Sequence, residues 1–333
     1  MNFEKLKKEY DKKNMLGIIR SFPRQLRKAI ETSYAWKLPT HFKKKYSGII
    51  VQGMGGSAIG GLVAKGLLLE KLKLPLVVNR DYSLPAFANS KWLAVIVSYS
   101  GNTEETLSVF SEAKKKKMNT VCISSNGALS KKCKNCIRIP GNFPPRTQLA
   151  MTMVPILAVL EKLALAREKS ALEKSATFLQ ENIRKTERLG KELAAFLKGK
   201  IPVVYAPAKF APAAERFHTQ LAENSKAFSH WNVLPELNHN EIVGWKPSEK
   251  KLGFVLFRDN KETKKEKKRS EFTKKLACQK SSCTELRARG KTLHEKMLYL
   301  VSVGDFASYY LALLNKENPW PVKNIEKLKK ELK

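Results

Sequence analysis

The sequence predicts an α/β protein made of parallel sheets covered by helices on both faces. Three observations carry this reading. From Tyr46 to about Ile139, short apolar runs alternate with helical segments, as parallel strands with crossover helices require. Two of these runs lead into turns of glycine and small hydroxyl residues: Gly53-Met54-Gly55-Gly56-Ser57-Ala58-Ile59-Gly60-Gly61 and Ser98-Tyr99-Ser100-Gly101-Asn102-Thr103. After a long helical tract, a second βα alternation begins at Ile201-Pro202-Val203-Val204-Tyr205-Ala206, so the chain reads as a weak tandem duplication.

Residues 1–45 read as amphipathic helices, with Leu16, Ile18, Ile19, Phe22, Leu26 and Ile30 on the apolar side. Ser21-Phe22-Pro23 interrupts them, because proline cannot continue a helix interior. Strands are expected at Gly48–Gln52, Leu76–Asn79, Leu93–Val97 and Thr120–Ser124, with a short one near Cys136–Ile139. The helix from about Thr103 to Met118 opens on hydroxyl and acidic residues, as a capped first turn should. Pro144-Pro145-Arg146 introduces the helical tract of about 149–198, whose part Glu168–Lys198 is expected to bridge two domains. The second half should contain a helix at Pro212–Lys226, strands near Leu252–Arg258 and Leu286–Ala288, and a C-terminal helical pair. Asp259–Ser270 has hardly an apolar residue and is expected to be a mobile surface loop or a frayed helix end. The expected division is 1–45 helical, 46–165 first domain, 166–200 helical bridge and 201–333 second domain.

A chain of 333 residues with 43% hydrophobic content suits one large or two ordinary globular domains. No apolar run is expected to span a bilayer, and Met1-Asn2-Phe3-Glu4-Lys5-Leu6-Lys7-Lys8 lacks an apolar signal core. A cytoplasmic protein without a membrane partner is the expectation. Five cysteines suggest reduced thiols. Cys133-x-x-Cys136 and Cys278-x4-Cys283 could together ligate zinc, but no histidine flanks them and the pairs fall in different expected domains, so no metal is expected. The net charge of +33 raises nucleic acid or acidic membranes as partners. Its lysines, however, lie in scattered runs (Lys43–Lys45, Lys114–Lys117, Lys264–Lys268) with few aromatics between them and no recognisable nucleic-acid module. A solvated lysine-rich surface accounts for the charge, and nucleic acid is not an expected partner.

The two turns carry the chemistry. Glycine lets the backbone approach a ligand and adopt positive φ, and a helix N-terminus offers N–H groups to an anion. Ser57 adds a hydroxyl, although such a turn alone is equally compatible with a tight βα connection that binds nothing. Both turns lie at the carboxyl edge of the sheet, where open α/β sheets bind ligands. Several hydroxyls and helix amides with no lysine among them suit a phosphate monoester. There is no Gly-Lys-Ser/Thr P-loop, and the spacing of Gly53, Gly55 and Gly60 is not that of a dinucleotide site, so no nucleotide cofactor is expected.

This pair of turns resembles the sugar isomerase (SIS) fold. Further motifs follow in order: Pro145-Arg146, Glu223-Asn224, Asn238-His239-Asn240-Glu241, Gly304-Asp305-Phe306-Ala307-Ser308 and Asn318-Pro319-Trp320-Pro321-Val322. With them, most of the chain is similar to the archaeal-type bifunctional phosphoglucose/phosphomannose isomerases. The resemblance implies two SIS-type (flavodoxin-like) parallel-sheet αβα sandwiches in tandem, with helical N- and C-terminal extensions. It implies a phosphosugar substrate, no cofactor, and a homodimer whose active site is shared between subunits.

The same resemblance assigns roles. Gly56, Ser57, Ser98, Ser100 and Thr103 would hold the phosphate, and Arg146 would place positive charge beside an enediolate. Glu223 would carry the proton between C1 and C2, His239 of a neighbouring subunit would open the ring, and Lys329 (Lys327 second) would return to the site from the last helix. Taken alone, these residues leave other readings open. The hydroxyls could be helix caps, Arg146 a surface arginine, Glu223 a solvated side chain or a partner of Lys226, and His239 structural. Glu236 and Glu241 are rival carboxylates, ranked below Glu223. Trp320 stands where related sequences often have a smaller residue, which bears on the balance between glucose and mannose substrates. The implied activity is aldose–ketose isomerisation; the alternatives are a non-catalytic phosphosugar-binding regulator and an amino-sugar phosphate isomerase.

Overall fold

The computed structural model describes residues 2–245 and 251–332. They form two compact units, one of Ser21–Gln180 and the other of Met1–Arg20 with Glu181–Lys333. The chain opens with α1 (Phe3–Tyr10) and α2 (Met15–Arg20). Asp11 starts α2, its carboxylate accepting from the amides of Met15 at 2.6 Å and Leu16 at 3.0 Å. α3 (Phe22–Ala35) begins two residues later, because Pro23 is tolerated in a first helical turn and not in an interior.

The unit Ser21–Gln180 holds a five-stranded sheet. Its elements run β1 (Gly48–Gln52), α4 (Gly56–Leu68), β2 (Leu76–Asn79), β3 (Trp92–Val97), α5 (Glu104–Lys115), β4 (Asn119–Ser124), α6 (Gly127–Lys132), β5 (Cys136–Arg138) and α7 (Leu149–Lys162). Every pairing is parallel and the order is β2-β1-β3-β4-β5, the flavodoxin-like winding. β1 and β3 are buried along their whole length, which explains their unbroken apolar runs. α3 and α4 pack on α7, while Val109, Phe110 and Ala113 of α5 close over Ile50, Ala94 and Ile96.

The other unit takes up α8 (Lys169–Leu197) from Glu181 onward and continues through β6 (Ile201–Pro207), α9 (Ala211–Ser225), β7 (His230–Leu234), β8 (Leu252–Arg258), α10 (Lys264–Lys280), β9 (Ser282–Arg287), α11 (Leu293–Leu314) and α12 (Lys323–Glu331). The order β7-β6-β8-β9, again all parallel, repeats the winding of the first four strands. α11 is its central helix. At 22 residues and a mean hydropathy of 1.5 it is long and apolar enough to cross a membrane by length and composition, contrary to the expectation that no run would be. Its residues from His294 to Leu314 are nonetheless buried, and it packs against α9, α1 and α2. Polar links secure it: Tyr309 donates to Asp11 at 2.9 Å, and Tyr310 donates to Glu187, which also takes a bidentate pair from Arg20.

Three readings of the sequence need correction. Asp259–Ser270 is exposed for most of its length, but only 259–263 is a turn and the rest is the capped start of a helix. α10 starts at Lys264 under a capping box of Thr263 and Glu266, and Asp259 is buried. Arg258, 1% exposed, binds Glu262, Glu271 and Glu285, so ion pairs order what apolar contacts do not. The cysteines are not all reduced: Cys278 and Cys283 form a disulfide from the end of α10 to β9, leaving Cys122, Cys133 and Cys136 as thiols. β9 occupies Ser282–Arg287, where the sequence pattern places a strand near Leu286–Ala288, and β7 has no counterpart in that pattern.

Candidate functional site

In the unit Ser21–Gln180, two turns meet at the carboxyl edge where β1 and β3 lie side by side. The Ser57 hydroxyl, in the first turn of α4, accepts from the backbone amide of Tyr99 at 3.2 Å and so joins one turn to the other. Ser98 accepts from the amide of Gly101 at 3.1 Å and donates to the Thr103 hydroxyl at 3.1 Å. Ser100 is exposed and accepts from the Asn102 amide. Thr103 stands at the N-cap of α5, yet among the described residues it makes no side-chain capping bond; its oxygen faces Ser98. The first turn of α4 contains no acidic residue, whereas that of α5 has Glu104 and Glu105, so the uncompensated positive helix end belongs to the glycine turn.

Two glycines have steric reasons. Gly101 sits at φ +71°, and a Cβ there would lie 1.8 Å from the Asn126 carbonyl oxygen. A Cβ on Gly56 would lie 3.0–3.1 Å from the backbone of Pro145 and Arg146, so a side chain there would push that segment back by a few tenths of an ångström. The Pro144-Pro145-Arg146 segment is thereby seated against the glycine turn, and the amide of Phe143 donates to the Tyr99 hydroxyl at 3.2 Å. Arg146 is buried, 4% exposed, which is not the setting of a surface arginine. Gly56, Ser57, Ser98, Ser100, Thr103 and Arg146 are therefore brought together around one edge.

Glu223 lies in the last turn of α9 in the other unit, half-buried, beside a cavity of about 620 Å³ also lined by Lys226, Phe228, Asn318, Pro321 and Ile325. Buried polar contacts fix this helix on α11. Arg216 makes a bidentate pair with Asp305 at 2.7 and 3.0 Å, and Gln220 donates to the same carboxylate at 2.9 Å. Asn224 donates to Ser308 at 3.0 Å. Asp305 and Ser308 of the 304–308 motif thus position the helix end that carries Glu223 and Asn224. Lys226 ends α9 in the left-handed conformation, φ +54°, and its ammonium donates to the carbonyls of Glu223 at 2.8 Å and Asn318 at 3.0 Å.

His239 is exposed at the end of a short 3-10 turn, Glu236–His239. The two asparagines beside it hold the loop: Asn238 donates to Thr273 at 2.8 Å and Asn240 to Glu236 at 2.8 Å. Glu241 is fully engaged. Its Oε1 accepts from the Tyr205 hydroxyl and lies 3.0 Å from His230 Nε2, and its Oε2 accepts from Asn232 at 2.5 Å. Burial and this carboxylate push the Tyr205 phenol well above its ordinary range. Burial and the neighbouring His230 hold His218 below the usual histidine value. Lys327 and Lys329 are exposed on α12, whose residues Lys323, Asn324 and Ile325 line the cavity beside Glu223. Sequence reasoning did not find the Tyr205–His230–Asn232 grip on Glu241, the Lys226 cap or the Arg216–Asp305 pair. The first and last join residues distant in sequence, and Lys226 holds the Glu223 carbonyl and the distant Asn318 rather than the Glu223 carboxylate that the sequence offered as its partner. Among the described residues, no group of three or more His, Cys, Asp or Glu could hold a metal ion.

Two flavodoxin-like sheets in tandem, with a hydroxyl cradle at one carboxyl edge, define a tandem SIS-domain protein. Residues 43–166 match the SIS domain, and residues 186–332 match the bacterial phospho-glucose isomerase C-terminal SIS domain. The chain is 38% identical over 296 residues to a bifunctional phosphoglucose/phosphomannose isomerase of Aquifex aeolicus, covering 86% of this chain and 91% of that one. It is 34% identical over 336 aligned positions to the bifunctional phosphoglucose/phosphomannose isomerase of Caldicellulosiruptor bescii, covering 96% and 98%. The chain belongs to the bifunctional phosphoglucose/phosphomannose isomerase family. Its fold is also that of the C-terminal domain of glucosamine-fructose-6-phosphate aminotransferase from Francisella tularensis, with a TM-score of 0.72 at 16% identity, covering 90% of this chain and 96% of that one.

Proposed function

We propose that the protein interconverts glucose 6-phosphate, and also mannose 6-phosphate, with fructose 6-phosphate by ring opening and proton transfer through an enediolate. The observation that carries this reading is the family relationship over almost the whole chain. The joined hydroxyl turns support it, because they offer a monoanionic or dianionic phosphate several donors and a helix N-terminus.

In this mechanism Ser57, Ser98, Ser100, Thr103 and the Gly56 backbone anchor the phosphate. His239, from a neighbouring subunit, transfers the proton that opens the hemiacetal. Glu223 removes the C2 proton of the open aldose, and the C–H electron pair forms the C1=C2 bond of the enediolate as the carbonyl pair moves onto O1; the hydroxyl proton passes from O2 to O1, and Glu223 returns its proton to C1 as the C2 carbonyl forms. The Arg146 guanidinium, with Lys329, stabilises the negative oxygens of the intermediate. The working form is a homodimer, and the chemistry needs no cofactor. Incubation with glucose 6-phosphate or mannose 6-phosphate in EDTA should yield fructose 6-phosphate. Binding of these esters without turnover would favour a non-catalytic sensor, and turnover of amino-sugar phosphates alone would favour the amino-sugar reading.

A further inference from the structure

The two sheets are wound alike, β2-β1-β3-β4 and β7-β6-β8-β9. The turn from β6 into α9 therefore corresponds to the glycine turn after β1, and the turn from β8 into α10 corresponds to the Ser98–Thr103 turn after β3. Both α5 and α10 start from a threonine, Thr103 and Thr263. In the first sheet this edge carries neutral hydroxyls. In the second it carries charges.

Lys209 lies in the 3-10 turn directly after β6, Asp259 is the first residue past β8, and Lys296 comes from the first turn of α11. Lys209 Nζ is 2.7 Å from Asp259 Oδ2, and Lys296 donates to Oδ1 and, at 2.8 Å, to the Asn260 side chain. The Asp259 and Lys296 side chains are only 3% and 5% exposed, and that of Lys209 30%. A buried anion with a cation on each oxygen is how a protein binds a small oxyanion.

We propose that Asp259 is a built-in anion that fills the second sheet's counterpart of the phosphate cradle, and that Lys209 and Lys296 form an oxyanion site of the phosphate or sulfate class which this carboxylate keeps closed. The tandem duplication thereby leaves one open anion cradle per chain. Removing the carboxylate strands a buried ammonium, which is strongly unfavourable unless another anion takes its place. Burial alone would raise the Asp259 carboxyl, but the two lysines outweigh it and keep it ionised.

The test compares the full-length parent with Asp259→Ala by calorimetric titration with inorganic phosphate, at ionic strength held constant with chloride. Asp259→Ala should bind one phosphate per chain more than its parent. At phosphate 100-fold above the new dissociation constant, its unfolding equilibrium constant should fall about 100-fold further than the parent's. Adding Lys296→Met should abolish both gains. Because the readout is the difference from the parent, it stands whether or not the hydroxyl cradle takes phosphosugars. A folded Asp259→Ala chain with the parent's stoichiometry overturns the proposal. Should that variant fold only in phosphate, the recovery supports it; failure in both salts, or a folded Asp259→Asn chain that takes up no extra phosphate, overturns it.

Discussion

Glu241 belongs to the same short motif as His239, and its contacts are those of a brace. Three side chains converge on its carboxylate: Tyr205 from β6, and Asn232 and His230 from β7. Replacing it by glutamine keeps the shape but presents an amide NH₂ to at least one donor. Bonds to charged acceptors contribute about 1.5–3 kcal/mol each, and stranding a buried donor costs about 1–3 kcal/mol. His230 is 49% exposed and adds little, so the loss rests on Tyr205, 1% exposed, and the partly buried Asn232. With one acceptor oxygen retained, Glu241→Gln should lower stability by about 1–2 kcal/mol, and Glu241→Ala by about 2–4 kcal/mol. Urea unfolding measures both, and amide exchange across 236–245 should rise in the same variants. Turnover should fall moderately through misplacement of His239 and recover in part at lower temperature. A Glu241→Gln chain with unchanged unfolding midpoint but no isomerisation would refute the brace and make Glu241 the proton carrier.

Other outcomes follow from the same geometry. Glu223→Gln should cut turnover by about 10²–10⁴-fold with ligand affinity nearly intact, the usual scale for loss of a general base, whereas Ser57→Ala should mainly raise KM. Kinetics on purified variants separate these signatures; equal losses in both parameters for both variants would contradict the division of labour. Mixed Glu223→Ala and His239→Ala subunits should recover activity, since one site of the heterodimer regains both groups; no recovery despite proven exchange would mean that each chain serves only itself. Burial acts to raise Asp259, Glu187 and Glu285, but cationic and hydroxyl partners outweigh it and all three titrate below their ordinary values. Their stabilisation is present above the unfolded carboxyl range of about 4 and is lost as pH falls through the lower folded values, so thermal stability should be flat from neutral to about pH 5 and drop below about 4. A stability maximum at pH 3 would contradict these pairings.

What the sequence revealed, and what it hid, depends on whether burial is apolar. β1 and β2 occupy the residues expected of them, Gly48–Gln52 and Leu76–Asn79, because each is an apolar run bounded by turn residues. β7 was invisible because only Leu234 of its five residues is buried, and an edge strand of His, Trp and Asn has no clear period. The stretch after β8 misled for the opposite reason. Arg258 and Asp259 are buried by pairing, Arg258 with Glu285 and Asp259 with Lys209 and Lys296, and local pattern cannot show partners so far apart. The hydroxyl turns were legible as βα turns because each buried apolar strand runs straight into glycine and small hydroxyl residues. The grip on Glu241 was not, since it depends on which strand lies beside β6.

Isomerisation in ²H₂O, followed by NMR at C1 and C2 of both sugar phosphates, tests proton transfer through Glu223 most directly. Where the carboxyl proton exchanges with solvent before its return, transfer through a carboxylate and an enediolate places solvent deuterium at C1 of fructose 6-phosphate formed by the parent chain, and turnover and label both fall to background with Glu223→Gln. Turnover and deuterium uptake undiminished in Glu223→Gln would contradict it.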